Sequence, residues 1–302
     1  MRIQYFNGGL ANQVFQYIFY RYGQLATGSA EEWILDDSFF FFRHQHNGYE
    51  LDKVFGLKPN LLSQRFSPDD WNIIITNRKN GFGTSDILKS MGLHVSMIAE
   101  ASNYKADNPF SGKVYPIPCN EYHPEILKFK DDVVYYFGYW INSHWFNTYK
   151  DIFVNELTFP PILDSQNLSY ATQIKSSLSV GIHIRRGDYL NLGLDIAAPV
   201  YFSAIQELLA EYPDAFLYIF SDDLNWCEMH ADELGLSLTS NTTFIHGNVN
   251  GNNFIDLQLL SMCNGILLSK SAFCYLALLL NKNLSFYIDL PNWHTYKHIT
   301  YI

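Results

Sequence analysis

The residues best equipped for chemistry fall in one stretch, Gly181-Ile-His-Ile-Arg-Arg-Gly-Asp-Tyr189, preceded by the apolar lead Ser177-Leu-Ser-Val180. The lead predicts a strand running to Ile184, and strand alternation would put His183 and Arg185 on one face and Arg186 on the other. Gly187 permits a sharp exit, leaving Asp188 and Tyr189 at the strand's carboxyl mouth. Two adjacent guanidinium groups keep their charge, and their planar forks suit a phosphate. The stretch therefore reads as a phosphate clamp with a carboxylate beside it. The plainer account is an arginine paired with Asp188 at a sheet edge.

Three further strand ends in the second half carry polar clusters: Ser221 to Asp223, His246 to Asn248, and Ser269 to Ser271. In a parallel sheet such ends share one edge, where open α/β sheets hold their ligands. Singly, each has a duller role. Ser269, Ser271, Asp222 or Asp223 could cap a helix, and Asp256 could favour a helix dipole. Together with the double arginine they describe a nucleotide-sized pocket. Near the amino end, Asn7-Gly-Gly9 follows a predicted strand and opens a helix carrying Asn12, Gln13 and Gln16. That is a ligand-binding entry or simply a tight turn; it is neither G-x-G-x-x-G nor a P-loop.

Several chemistries lack their signatures. The sequence has no Asp-x-Asp, no H-E-x-x-H and no G-x-S-x-G. His44 and His46 sit two apart in a loop, and His294 and His298 four apart near the carboxyl end, with no third ligand placed beside either pair. No metal is expected, because arginines can neutralise a diphosphate themselves.

The elements needed to position these residues are legible mainly in the second half. Strand and helix patterns alternate there, implying parallel strands with right-handed crossovers and an α/β class. Predicted helices run from Pro199 to Tyr212, Leu224 to Leu234, Phe254 to Cys263 and Ala272 to Leu280. Predicted strands run from Phe216 to Phe220, Thr243 to His246, Gly265 to Leu268 and Leu284 to Ile288. In the first half, Arg2 to Phe6 and Trp33 to Asp36 read as strands and Leu10 to Thr27 as an amphipathic helix. Asp132 to Tyr139 reads as a strand, followed by an aromatic helix to Leu157. Residues 58–125, rich in Pro and Gly, read as acceptor-facing loops, with Ile73 to Thr76 as a strand. Four aromatics in a row, Phe39 to Phe42, cannot all be buried by one strand face. Pro160-Pro161 suggests a boundary, giving domains 1–161 and 162–302.

Across 302 residues, 48% are hydrophobic, 17% charged and 17% aromatic, as expected of a globular chain with a sizeable core. The formal net charge of −10 argues against a nucleic-acid partner. Cys119, Cys227, Cys263 and Cys274 form no C-x-x-C, and three of them lie in apolar runs, reading as reduced core residues. The sequence enters a strand at once, with no leader-like stretch and no run of membrane-spanning length, so a cytoplasmic chain is expected. On that expectation the sequons at Asn167, Asn241 and Asn283 carry no glycan. The aromatic surplus is compatible with peripheral contact at the inner face of a bacterial membrane, although no basic amphipathic helix supports it.

At this point the residues resemble a known family. Asn7-Gly-Gly-Leu-Ala-Asn-Gln-Val-Phe-Gln-Tyr17 is similar to the G-G-L-G-N-Q-M-F-Q-Y opening of the bacterial α-1,2-fucosyltransferases of glycosyltransferase family 11. Gly48 to Asp52, Tyr136 to Tyr139, His183 to Tyr189, Phe220 to Trp226 and Asp256 to Ser261 match later blocks in order. The resemblance implies a GT-B architecture, two Rossmann-like domains facing across a cleft. It implies an inverting transfer from GDP-β-L-fucose to the 2-hydroxyl of a terminal galactose in a glycan, without a metal. The amino-terminal domain would shape the acceptor site and the carboxyl-terminal one would hold GDP.

Carried over by position, the resemblance implies that Arg185 holds the β-phosphate, supported by Arg186 and His183. Asp256 would meet the guanine or ribose, and Ser221 and Asp222 would line the nucleotide site. Ser269, Ser271 and Phe273 would close around the phosphates, with Asn12 and Gln13 at the cleft edge near the sugar. Asp188, the nearest carboxylate in sequence, is the first choice for a base. The family usually writes S-x-F-S-W-W where this chain has Ser271-Ala-Phe-Cys-Tyr-Leu276, which opens the contacts after Phe273, the acceptor and the linkage to question. Alternatives are another linkage or GDP-sugar on the same scaffold, or a nucleotide- or glycan-binding protein without turnover. A Rossmann-type oxidoreductase is disfavoured by the missing G-x-G-x-x-G.

Overall fold

The computed structural model describes residues 1–100, 114–290 and 300–301. The His294 and His298 pair lies outside the described residues. The chain divides into two compact units, Met1–Thr158 and Phe159–Ile302. Each is built on a parallel sheet flanked by helices.

The first unit contains β1 (Arg2–Tyr5), α1 (Leu10–Thr27), β2 (Trp33–Asp36), α2 (Phe39–Phe42), α3 (Leu51–Phe55), α4 (Pro68–Lys79), α5 (Thr84–Ser90), β3 (Val95–Glu100), β4 (Val114–Ile117), β5 (Val133–Phe137), α6 (Ser143–Asn147) and α7 (Lys150–Glu156). Its strands lie in the order β2-β1-β5-β3-β4, all parallel. Much of the aromatic surplus is core here. Phe19 of α1 stacks on Trp140 at 4.1 Å and meets Trp33, Tyr136 and Trp145 edge-on.

The second unit contains α8 (Ser165–Ser176), β6 (Ser179–Ile184), α9 (Gly187–Leu192), α10 (Ala198–Glu211), β7 (Phe216–Ser221), α11 (Leu224–Met229), α12 (Ala231–Leu234), β8 (Thr242–Phe244), α13 (Phe254–Leu260), β9 (Gly265–Leu268), α14 (Ala272–Leu280), β10 (Phe286–Asp289) and β11 (Thr300–Tyr301). The order is β11-β10-β9-β6-β7-β8, parallel except for β11 against β10. The chain steps outward from β6 through β7 to β8, then returns to β9 on the other side of β6. The carboxyl ends of β6 and β9 therefore flank a topological switch point, the usual ligand crevice of such sheets. The first unit has a counterpart where β5 returns to lie beside β1.

Several predicted elements need correction. Ile73 to Thr76 lie inside α4 and not in a strand. Ser67 accepts from the Asp70 backbone N–H, Pro68 occupies the first turn, and Trp71, Ile74 and Ile75 bury one helical face, outweighing β-branched propensity. The stretch 58–125, read as loops with a short helix over Asp86 to Met91, contains that helix as α5, and also β3, β4 and α4. The helix expected from Trp140 to Leu157 is two, α6 and α7, and the one from Leu224 breaks at His230. Phe39 to Phe42 form a single helical turn with Phe39 buried and Phe41 half exposed. β6 ends at Ile184, so strand alternation does not govern Arg185 and Arg186, and Gly187 opens a helix. Among the described residues, no helix is long and apolar enough to cross a membrane.

Candidate active site

The switch point of the second unit gathers most of the singled-out side chains. His183, on the last turn of pleat in β6, is buried, with Nδ1 2.7 Å from Ser269 Oγ at the end of β9. Its ring stacks on Phe273 at 5.3 Å, and its carbonyl accepts from Tyr201 Oη. This lashing joins the two strand ends across the crevice. Burial, and secondarily the Arg185 charge, push the His183 pKa down to about 3, so the ring is neutral at working pH.

The sign of that shift makes a prediction. The unfolded histidine, near 6.5, takes up a proton that the folded one refuses, so the folded state loses stability as pH falls from about 6.5 towards about 3. Melting temperature followed over that window should fall less steeply in His183→Gln than in the parent. Parallel slopes would refute the assignment.

Arg185 and Arg186 follow β6 directly. Arg185 pairs with Asp188 at 2.8 Å and with Asp222 at 3.1 Å, and lies over the Tyr189 ring at 5.5 Å. Arg186 lies flat on Trp226, its guanidinium carbon 3.4 Å from the ring centre. Its Nε is buried without a hydrogen bond, because Asp223 stands 3.6 Å away. Asp222 is the hub: its Oδ1 also accepts the Arg186 backbone N–H at 2.9 Å. Gly187 makes this seat, since a Cβ there would come within 2.3 Å of Asp222 Oδ2. The plainer sequence account, Arg185 paired with Asp188, thus describes one of these contacts. Those contacts differ in firmness. Asp188 and Asp223 are 52% and 41% exposed and can swing away, whereas Asp222 is 25% exposed and held by the backbone.

The remaining residues take mixed roles. Ser271 caps α14 by accepting the Phe273 N–H, and Ser221 accepts the Asp223 N–H. Tyr189 Oη donates to the Lys270 carbonyl, tying α9 to the loop after β9. His246 pairs with Glu228 on the surface at 2.8 Å. Asp256 receives a hydrogen bond from Asn248. Of the three residues that depart after Phe273, Cys274 and Leu276 are fully buried in α14, with the thiol against the Ser269 and Ser271 carbonyls, while Tyr275 is partly exposed.

In the first unit, Gln13 is fully buried. Both amide hydrogens go to protein, to the Gly8 carbonyl at 2.8 Å and the Gly48 carbonyl at 2.7 Å, while Oε1 accepts from the Glu50 N–H. It stitches the Asn7–Gly9 turn to the loop before α3. Asn12 is half-buried, beside Gly8. Gln16 binds Asn7 through both amide ends. Sequence reasoning named Trp226 and Asn248 but missed their contacts, Trp226 beneath Arg186 and Asn248 beside Asp256, which are tertiary. Trp226 had one cue, three residues beyond Asp223 in the first turn of a helix after a strand. Among the described residues, no group of three His, Cys, Asp or Glu side chains is placed to hold a metal ion.

Comparison with known proteins fits this geometry. The chain is 28% identical over 277 residues to an α-1,2-colitosyltransferase of Escherichia coli, covering 89% of this chain and 83% of that one. Among solved structures it is similar to the α-1,6-fucosyltransferase NodZ soaked with GDP-fucose, with a TM-score of 0.55, 15% identity and coverage of 100% and 98% of the two chains. A fucosyltransferase NodZ from Bradyrhizobium gives 0.53 at 14% identity with the same coverage. These likenesses establish the GT-B fold, two Rossmann-like units. The sequence profile described as glycosyl transferase family 11 matches residues 85–300, and with the double arginine and polar strand ends inside that span, the chain belongs to this family.

Proposed function

We propose that this protein is an inverting, metal-independent transferase that moves L-fucose from GDP-β-L-fucose to the 2-hydroxyl of a terminal galactose in a glycan. The observation that carries this reading is the arginine pair at the β6–β9 switch point, one guanidinium retaining an unbonded buried N–H. A diphosphate entering there would replace the yielding carboxylates Asp188 and Asp223 while Asp222 keeps the backbone in place. The acceptor oxygen attacks the anomeric carbon, the bond to GDP breaks, and negative charge grows on the β-phosphate. Arg185 stabilises that charge where it develops. Arg186, His183, Ser221, Asp222, Ser269, Ser271 and Phe273 are assigned to the same GDP site, with Asp256 at the nucleoside end. Asn12 is assigned to the first unit's side of the reaction.

The E. coli relative favours a second reading, in which the sugar moved is colitose, which lacks the hydroxyl at C3 of fucose. Incubation with each GDP-sugar and a galactoside array, with product linkage assigned by NMR and a parallel run in EDTA, separates the two. Binding of GDP without transfer to any acceptor would indicate a binding protein, and loss of turnover in EDTA with recovery on adding metal would refute the metal-free mechanism.

Asp188 is the candidate base nearest the arginine pair, and its contact with Arg185 is an exposed one. Asp188→Asn is expected to retain kcat within about tenfold of the parent, since one exposed ion pair contributes little. A loss of about 1,000-fold, within the range for removing a general base, would instead restore the base role.

A further inference from the structure

The carboxylates of the arginine cluster each meet a cation, whereas Asp256 meets none among the described residues. It lies in the first turn of α13, and burial pushes its pKa up to about 7, with Asn248 the one neighbour countering the rise. The elements packed against α13 bring little charge: α14 carries none, and α8 carries Asp164 at its start and Lys175 at its far end. Asp256 Oδ1 accepts from Asn248 Nδ2 at 2.7 Å, while Oδ2 has no partner among the described residues.

Behind Asp256 stands a buried polar chain. Asn248 and Asn167 exchange two hydrogen bonds, at 2.8 and 2.9 Å, and Asn167 Nδ2 lies 3.0 Å from both oxygens of Asp164. Asn167 and Asn248 are 5% and 7% exposed. Asp164 is held ionised by the Asn167 N–H and only accepts, so Asn167 must turn its NH2 to it, and the reciprocal amide pair then fits one way round, with the Asn248 NH2 towards Asp256. The orientation of Asn248 is thus set from α8, 81 residues earlier. Capping α8 needs only Asp164, which already accepts the Asn167 backbone N–H at 2.8 Å. The two buried amides do something beyond that cap: they hold one oxygen of Asp256 and leave the other open.

We propose that Asn248, backed by Asn167 and Asp164, is a positioning residue that aims Asp256 at the adjacent N1–H and 2-amino donors of a guanine ring and so sets the preference for a guanine nucleotide. This rests on the GDP-sugar reading above. A carboxylate matches those two donors, and a fixed one discriminates better because nothing is lost in orienting it.

The test is calorimetric binding of GDP and of IDP, which lacks the 2-amino group, to the parent, Asn248→Ala and Asn248→Asp, on either side of pH 7. The aspartate keeps the shape of asparagine but cannot donate when ionised. The parent should prefer GDP. Both variants should bind GDP about tenfold more weakly near neutrality, the loss expected for one hydrogen bond to a charged group. Their preference for GDP over IDP should collapse, and the acid-side loss of GDP binding should move to higher pH, because a bond favouring ionised Asp256 is gone. Equal weakening of GDP and IDP with an unmoved pH profile would mark Asn248 as structural only and overturn the proposal, as would unchanged affinity. If Asn248→Ala does not fold, Asn248→Asp decides alone. A parent protein that binds no GDP removes the donor reading and this proposal together, whereas a GDP-binding parent with indifferent variants removes this proposal only.

Discussion

Arg185→Ala is expected to lower kcat by at least ~100-fold, the loss seen when one preorganised donor to developing charge is deleted. The effect should fall mainly on kcat, since charge on the β-phosphate grows as the sugar leaves and the arginine contributes most there. Asp188 and Asp222 would lose their shared cation, and with no positive partner they would repel the diphosphate as well. Arg185→Lys should recover only part of the rate, because an ammonium cannot present two parallel donors. A steady-state comparison of the three proteins with GDP-fucose checks this. Turnover within about threefold of the parent in Arg185→Ala would place the leaving group elsewhere.

The second large effect lies in the other unit and concerns stability. Glu100, at the end of β3, is 1% exposed, and its carboxylate accepts three backbone N–H groups, from Tyr139 at 2.6 Å, Asn120 at 2.9 Å and Trp140 at 3.1 Å. Gly138 leaves room for it, since a Cβ there would meet Oε2 at 2.6 Å. The carboxylate thereby holds the turn after β5 at the first unit's own switch point, including Trp140 in its left-handed conformation. Glu100→Ala strands three amides at once. With partial rehydration of the cavity, the loss is on the order of 3 kcal/mol. For a unit of this size that corresponds to roughly 6–12 °C in melting temperature. Glu100→Gln keeps one acceptor oxygen and should lose less. Equal melting of all three proteins in differential scanning calorimetry would refute the assignment.

How much of this could be read in advance depends on where the information resides. The arginine pair, Asp222 and Ser269 were legible because each sits at a strand end, and strand ends announce themselves by an apolar run stopping at polar residues. The first unit hid more. Ile73-Ile-Ile-Thr76 carries strand propensity, and the Ser67-Pro68 start together with packing beside Trp71 makes it helical. β3 and β4 were obscured among prolines and glycines, with Pro116 lying inside β4 itself. Contacts between distant residues left no local trace: Glu100 with the turn after β5, Trp226 beneath Arg186, or Asn167 with Asn248. Of the departure at Cys274, Tyr275 and Leu276, the first and last residues are buried inside α14 and only Tyr275 reaches the surface.

In both sheets the strand that comes first is internal, and one of its two neighbours comes late in the chain. Ile3 pairs with Ile34 on one side but waits for Tyr135 on the other, and Ile182 pairs with Ile219 but waits for Leu267. During synthesis, then, a nascent chain carries β1 with one flank bare until β5 clears the ribosome. Such long-range parallel pairing is slow and exposes apolar surface meanwhile. Overexpression that outruns this closure should favour inclusion bodies, and slower translation at lower temperature should raise the yield of properly folded enzyme.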